Sequence, residues 1–311
     1  MNRYPLFLQP IAKTALWGGD RLLRDWHKTS DGDTLAESWE LSVRPKETCT
    51  VQNGEAAGLS LAEALLRMGG DAVSPAYAKG ERFPLLVKLI DAAEALSVQV
   101  HPDDAYAEET AGESGKTELW YIVEAREDAH ILYGLRKGLD EKDFALAVRE
   151  GRVSDVLCVQ PVRAGECYFI PSGTVHAIGA GILVAEIQQN SDLTYRVYDY
   201  DRVGADGRPR ELHVEQAMAV VRPWTSEQID SVRYERGREE EDLANCRYFS
   251  VKCHLVDGLW QARTEDDRCS HLLCIAGEGV LRFAETRYPV RKGSSILLPA
   301  RMGFLSIFNQ M

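Results

Sequence analysis

A chain of 311 residues with 45% hydrophobic and 27% charged content has the make-up of a soluble globular protein of one large or two ordinary domains, with a sizeable core. Its net charge of −12 argues against nucleic acid or an anionic membrane as a partner, because both demand a basic footprint. The seven cysteines (Cys49, Cys158, Cys167, Cys246, Cys253, Cys269 and Cys274) form no CxxC pair and read as free thiols of a reducing, cytoplasmic compartment, while the proline-broken start MNRYPLFLQPIAKT reads as no signal peptide and no apolar run approaches the roughly 20 residues of a bilayer span.

Residues 1–55 carry short strand-like pieces: Tyr4–Leu8, then the turn Trp17-Gly18-Gly19, then Glu37–Val43 and Cys49–Gln52. Leu59–Met68 spaces Leu61, Ala64, Leu65 and Met68 on one helical face and stops at Gly69-Gly70. Phe83–Ile90 is an almost continuous apolar run interrupted by Lys88, a buried strand with a functional or snorkelling lysine. Leu96–His101 (LSVQVH) alternates Val98 and Val100 with Ser97, Gln99 and His101, so the period of two puts the three polar side chains on one strand face.

A helical turn over Ala105–Thr110 leads to Gly115–Val123, where Lys116 and Glu118 share one face and Leu119, Tyr121 and Val123 the other. Asp140–Glu150 reads as an amphipathic helix with an acidic first turn. Strands follow at Cys167–Ile170, Thr174–Ile178 with His176 at its centre, Ile182–Gln188 and Thr194–Tyr200, then a helix over His213–Val221 stopped by Pro223. The charged stretch Trp224–Asp242 marks a domain boundary, giving residues 1–225 and 226–311. Further short strands at Tyr248–Val256, Cys269–Ala276, Gly279–Ala284 and Ser295–Pro299 make the chain mainly β, with helices inserted between strands of a barrel or sandwich.

Gln99, His101, Glu118 and His176 are oxygen and nitrogen donors on strands that could line one barrel. Amide, imidazole and carboxylate suit Zn²⁺, with Fe²⁺, Mn²⁺ and Co²⁺ also compatible.

The spacing Gly165, Pro171, Gly173, His176 resembles the second motif of the cupin jelly rolls, whereas the first motif departs from it, with Gln99-Val100-His101 in place of His-x-His and Glu118 unusually late. In combination, FPLLVKLIDA, LSVQVHPDD, GKTELWYIV, PSGTVHAI and EIQQNSDLTYRVYDYDR, between about Trp17 and Pro223, resemble the phosphomannose isomerases of the shorter bacterial, class I-like branch. That resemblance implies tandem cupin jelly rolls. The second is degenerate: Gly293 and Pro299 keep the motif spacing, but Arg301 stands for the second glycine and Phe304 for the histidine.

It also implies an enzyme that interconverts mannose 6-phosphate and fructose 6-phosphate through a cis-enediol, as a monomer or homodimer, with one zinc per chain held by Gln99, His101, Glu118 and His176. Arg196 and Lys116 match the family's active-site arginine and pocket lysine. Ser97 and Lys88 are further substrate-binding candidates, and Glu186 is the candidate proton-transfer base from its position ten residues before Arg196. Three other readings use the same residues. An iron-dependent cupin oxygenase would need only His101, Glu118 and His176, a cupin-type glucose-6-phosphate isomerase would share the chemistry, and a non-catalytic sugar-binding cupin would keep the pocket.

Overall fold

Strand alternation builds two antiparallel sheets whose inner faces share one apolar cluster. The computed structural model describes residues 1–204, 207–229, 231–233 and 240–309. The larger sheet runs in the order Ser231–Arg233, Glu166–Ile170, Glu118–Ala125, Ile182–Gln189, Leu85–Ala92, Glu37–Leu41, Ile11–Lys13. The smaller runs Leu157–Pro161, His130–Leu135, His176–Ile178, Val98–Val100, Tyr195–Tyr198. Ile90, Trp120, Ile122 and Val184 of the first meet Ile131, Tyr133 and Ile178 of the second in one buried core.

Register places the site at one end of this sandwich. Along Ile182–Gln189 the inward residues of one face are Ile182, Val184, Glu186 and Gln188, paired with Ala92, Ile90, Lys88 and Leu86 on one side and with Trp120 and Glu118 opposite Glu186 and Gln188 on the other. The face therefore changes from apolar to charged along its length. In the smaller sheet Gln99 lies directly opposite His176 and also opposite Arg196, so these three side chains share a face. The other face buries Val98 and Val100 against Phe144 and Ala217, which come from the helices Glu141–Arg149 and Val214–Val220.

The helices begin and end where local chemistry dictates. In Leu61–Met68 the four residues at helical spacing are all buried, and Ser60 and Glu63 close a capping box at its start. Asp140 and Asp143 do the same for Glu141–Arg149. The strand at Val98–Val100 is shorter than the sequence suggests, leaving Ser97 and His101 just outside it, and Lys116 likewise precedes its strand. The strand His130–Leu135 is absent from the sequence reading. It carries Gly134 at φ +75° and a register shift between Leu132 and Leu135, which break the period of two.

In the C-terminal part, Ser270–Leu273 and Ser295–Leu298 form a sheet with the N-terminal strands Leu6–Gln9 and Thr50–Val51. A second sheet orders Leu259–Arg263, Phe304–Asn309, Glu278–Phe283, Thr286–Arg291. The repeated cupin motif has a backbone counterpart. Gly165 and Gly293 adopt φ +90° and +86°, and Arg301 holds φ +56° where Gly173 holds +85°. The turn thus survives with a side chain that pays strain for the left-handed conformation. Phe304, standing for the histidine, is 75% exposed.

A buried polar network joins the two parts: Lys28 Nζ lies 2.7 Å from Glu40 Oε2 and donates to the Gly293 carbonyl, and Ser295 Oγ donates to the Glu40 carbonyl. Of the charged stretch expected to mark a boundary, residues 230 and 234–239 lie outside the described residues, while Ser231–Arg233 and Glu240–Asn245 form strands. Among the described residues no helix is long and apolar enough to cross a membrane.

Candidate metal centre and cleft

Three strand ends deliver His101, Glu118 and His176 to one point, with a ligand atom from each within 4.8 Å of the others. Glu118 Oε1 is 3.3 Å from His176 Nε2 and Oε2 is 3.6 Å from His101 Nε2. Each imidazole is oriented from behind, since His101 Nδ1 lies 2.9 Å from the Leu193 carbonyl and His176 Nδ1 lies 2.8 Å from the Thr174 carbonyl. With Nδ1 as the donor, each Nε2 presents a lone pair to the common point. His176 Nε2 and both Glu118 oxygens are buried without a hydrogen-bond partner. Buried orphaned acceptors that converge in this way fit a divalent cation, and the donor set suits zinc.

A cation already reaches this point from the side. Lys116 Nζ sits 3.1 Å from His101 Nε2 and 3.0 Å from Glu118 Oε2, the latter a charge contact off the hydrogen-bonding line. Burial, reinforced by the Lys116 ammonium, holds His101 well below its ordinary value, and burial brings His176 down to about 3. Both are neutral at pH 7, as metal ligation requires. Burial also raises Glu118 above the usual carboxylate range against the pull of Lys116.

Beside the cluster opens a cleft of about 320 Å³, lined by Gln99, Lys116, Glu186, Lys88, Ser97 and Arg196, and also by Trp17, Glu37, Ile90, Leu96, Asp192, Thr194 and Arg210. Every candidate named from the sequence thus lies in the cluster or on the cleft. Lys88 is buried between two carboxylates, 3.3 Å from Glu186 and 3.5 Å from Glu37. Burial pulls its ammonium down, but the Glu37 and Glu186 carboxylates outweigh that and raise it above its ordinary value. Glu186 accepts from Trp120 Nε1 at 3.0 Å. Burial pushes its carboxyl up, yet Lys116, Lys88 and the Trp120 N–H hold it below the usual carboxylate range.

Arg196 donates to Ser97 Oγ at 3.3 Å and to the Glu211 carbonyl at 2.9 Å. It makes no ion pair with Asp199, which is held by Arg202 and Arg210 instead. Glu37 and Arg210 were missed by sequence reasoning. Glu37 had a signal, since the period of two along ESWEL puts it on one face with Trp39, which pairs with Lys88. Arg210 lies outside the strands and had none.

Two apposed sheets with a buried histidine and carboxylate cluster at one open end, followed by a degenerate repeat of the same motif, define a cupin whose pocket residues His101, Glu118 and His176 could hold a metal ion. The chain matches the family description "Phosphomannose isomerase type I, catalytic domain" over residues 6–117 and "Mannose-6-phosphate isomerase, cupin domain" over residues 239–311. It is 37% identical to a mannose-6-phosphate isomerase of Bacillus subtilis, covering 97% of this chain and 95% of that one. It is also 37% identical to the mannose-6-phosphate isomerase of Streptococcus mutans, covering 95% and 92%. The crystal structure of a mannose 6-phosphate isomerase from Bacillus subtilis superposes with a TM-score of 0.90 at 36% identity, covering 98% of this chain and 97% of that one. The chain belongs to the mannose-6-phosphate isomerase family.

Proposed function

We propose that this chain is a zinc-dependent aldose–ketose isomerase that interconverts mannose 6-phosphate and fructose 6-phosphate through a cis-enediol. The observation that carries the reading is the convergence of orphaned buried acceptors from His101, Glu118 and His176 beside a charged cleft. Gln99, opposite His176 in the sheet, completes the set that would hold the ion. When bound, zinc supplies Lewis-acid polarisation of a carbonyl or hydroxyl oxygen.

Glu186, ionised and on the cleft wall, accepts the C2 proton of mannose 6-phosphate. The freed electron pair forms the C1–C2 double bond as O1 gains a proton. Return of a proton to C1 while O2 loses its own gives the ketose, with no external oxidant or reductant. The depressed pKa of Glu186 makes it a weak base, so C2–H must be acidified by polarisation of the neighbouring carbonyl. The Lys116 ammonium and Arg196 guanidinium stabilise the oxyanion that develops, Arg196 being a permanent, planar donor. Ser97 aims Arg196, and Lys88 keeps Glu186 ionised while lining the cleft with it.

The same reading puts catalysis in residues 1–225 and a degenerate jelly roll in 226–311. All seven cysteines are free, which supports a cytoplasmic setting. The test is a coupled assay offering mannose 6-phosphate and, separately, glucose 6-phosphate to the zinc-loaded protein. Fructose 6-phosphate formed from the mannose epimer alone is the expected result; turnover of the glucose epimer alone, or of neither, would overturn the assignment.

A further inference from the structure

The strand that carries Glu186 has a second face. Ala185 and Ile187 alternate with Glu186 and Gln188 and project away from the catalytic cleft, as do Val87 beside Lys88 and Tyr121 beside Trp120. These four side chains form one wall of a separate cavity of about 910 Å³, and Val251, Trp260, Leu273, Ile275 and Ile307 of the C-terminal part line it from other sides. Those five are only partly buried, so the interior of this part is not filled by its own side chains. The Trp260 and His254 rings, with centroids 4.9 Å apart, add an aromatic surface. Among the described residues the formal charges on the lining are Lys252 and Glu278, both exposed, and Lys252 is paired with Asp242 at 3.2 Å. A volume of this size suits a whole small molecule, and apolar walls offer water too few partners. One polar group interrupts them. Ser295 Oγ gives its proton to the Glu40 carbonyl at 2.6 Å, so the 2.8 Å contact between Ser295 Oγ and His271 Nε2 is donated by the imidazole. Burial, with Lys28 nearby, brings His271 down to about 3, which keeps the ring neutral at pH 7. His271 Nδ1 therefore carries a lone pair, on a residue that lines the cavity.

We propose that this cavity is a second ligand site, for a neutral aromatic molecule carrying a hydroxyl, which packs against Trp260 and donates to His271 Nδ1. The apolar lining exclues sugars and sugar phosphates, whose many hydroxyls and charge would lose water without finding partners. The aromatic surface favours a flat ring over a flexible chain. The sheet lies between this site and the cleft, so the two are occupied independently, the ligand behind the strand and the sugar phosphate in front of it.

The experiment is a fluorescence titration of the zinc-loaded full chain with N-phenyl-1-naphthylamine, which brightens in apolar surroundings, followed by displacement with 2-naphthol and with 2-methylnaphthalene. Binding saturates at a single probe per chain, and 2-naphthol displaces it about 3- to 10-fold more effectively than its methyl counterpart, the worth of one hydrogen bond. His271→Phe abolishes that preference and leaves the affinity for 2-methylnaphthalene unchanged. Ile275→Trp and Val251→Trp, which fill the cavity from two sides, weaken the probe by about tenfold or more and leave catalytic turnover at the wild-type level. Mannose 6-phosphate does not displace the probe. Absence of saturable binding, displacement by mannose 6-phosphate, wild-type affinity in both tryptophan variants, or equal displacement by 2-naphthol and 2-methylnaphthalene would overturn the proposal. If one tryptophan variant does not fold, the other decides by the same criterion, and if His271→Phe does not fold, the wild-type preference for 2-naphthol decides.

Discussion

Without a bound cation, Glu118 and His176 bury three acceptor atoms that no donor satisfies. Each such atom costs about 1–3 kcal/mol, so metal-free protein carries a strain of several kcal/mol at this point, partly relieved by the Lys116 ammonium 3.0 Å away. Stripping the protein with a chelator and adding zinc back should therefore raise the melting temperature. At a hundredfold excess over Kd, linkage stabilises the folded state by about 2.7 kcal/mol. For a chain of 311 residues that is roughly 4 °C. Differential scanning calorimetry at pH 7.5, repeated on Glu118→Ala, measures it. The variant should lose most of the zinc-dependent rise, because the carboxylate facing both imidazoles is gone. A melting temperature indifferent to zinc, or a rise preserved in full by Glu118→Ala, would refute the reasoning.

Other consequences follow from the same geometry. His101 and His176 titrate below their unfolded value, so their stabilisation is complete above pH 6.5 and is lost as pH falls, with His176 losing it down to about 3. Glu118 and Glu40, both raised by burial, work in the opposite direction, while His271, brought down to about 3 by burial, adds to the histidine effect, so urea titrations of metal-free protein should show stability falling as pH drops from 6.5 toward 4.5. A flat or inverted profile there would contradict the assignment. Glu186→Gln should cut kcat by about 10²- to 10⁴-fold while zinc content stays at one per chain, and near-normal turnover would remove Glu186 from proton transfer. Lys28→Met should cost about 3–5 kcal/mol in chemical denaturation, because Glu40 is left as an uncompensated buried carboxylate; a change below about 1 kcal/mol would show the network to be unimportant.

What was legible in the sequence was local. The period of two in LSVQVH separated Gln99 and His101 from Val98 and Val100, and the structure keeps that division, with Gln99 opposite His176 and the valines under the helices. Helical spacing in LSLAEALLRM marked the four residues that are buried. The glycine and proline spacing of the cupin motif specified a turn whose left-handed backbone recurs at Gly293 and Arg301.

What was not legible depends on pairing between distant segments. No local pattern indicates that Leu6 pairs with Leu297, or that Lys28 finds Glu40 beneath Gly293. The strand at His130 was hidden by Gly134 and its bulge. The partners of Asp199 were the subtlest case: Arg196 lies three residues before it in sequence, but Arg202 and Arg210 reach it and leave Arg196 to Ser97 and a carbonyl.

The central claim is that turnover depends on a cation held by His101, Glu118 and His176 together with Gln99. Its most direct test is a zinc titration of chelator-stripped protein, scoring fructose 6-phosphate formed from mannose 6-phosphate at each step. Turnover should be absent at the start, rise in proportion to added zinc and level off at one equivalent per chain, and Glu118→Ala should stay inactive throughout. Full turnover in stripped protein, or a Glu118→Ala variant that follows the wild-type curve, would contradict it.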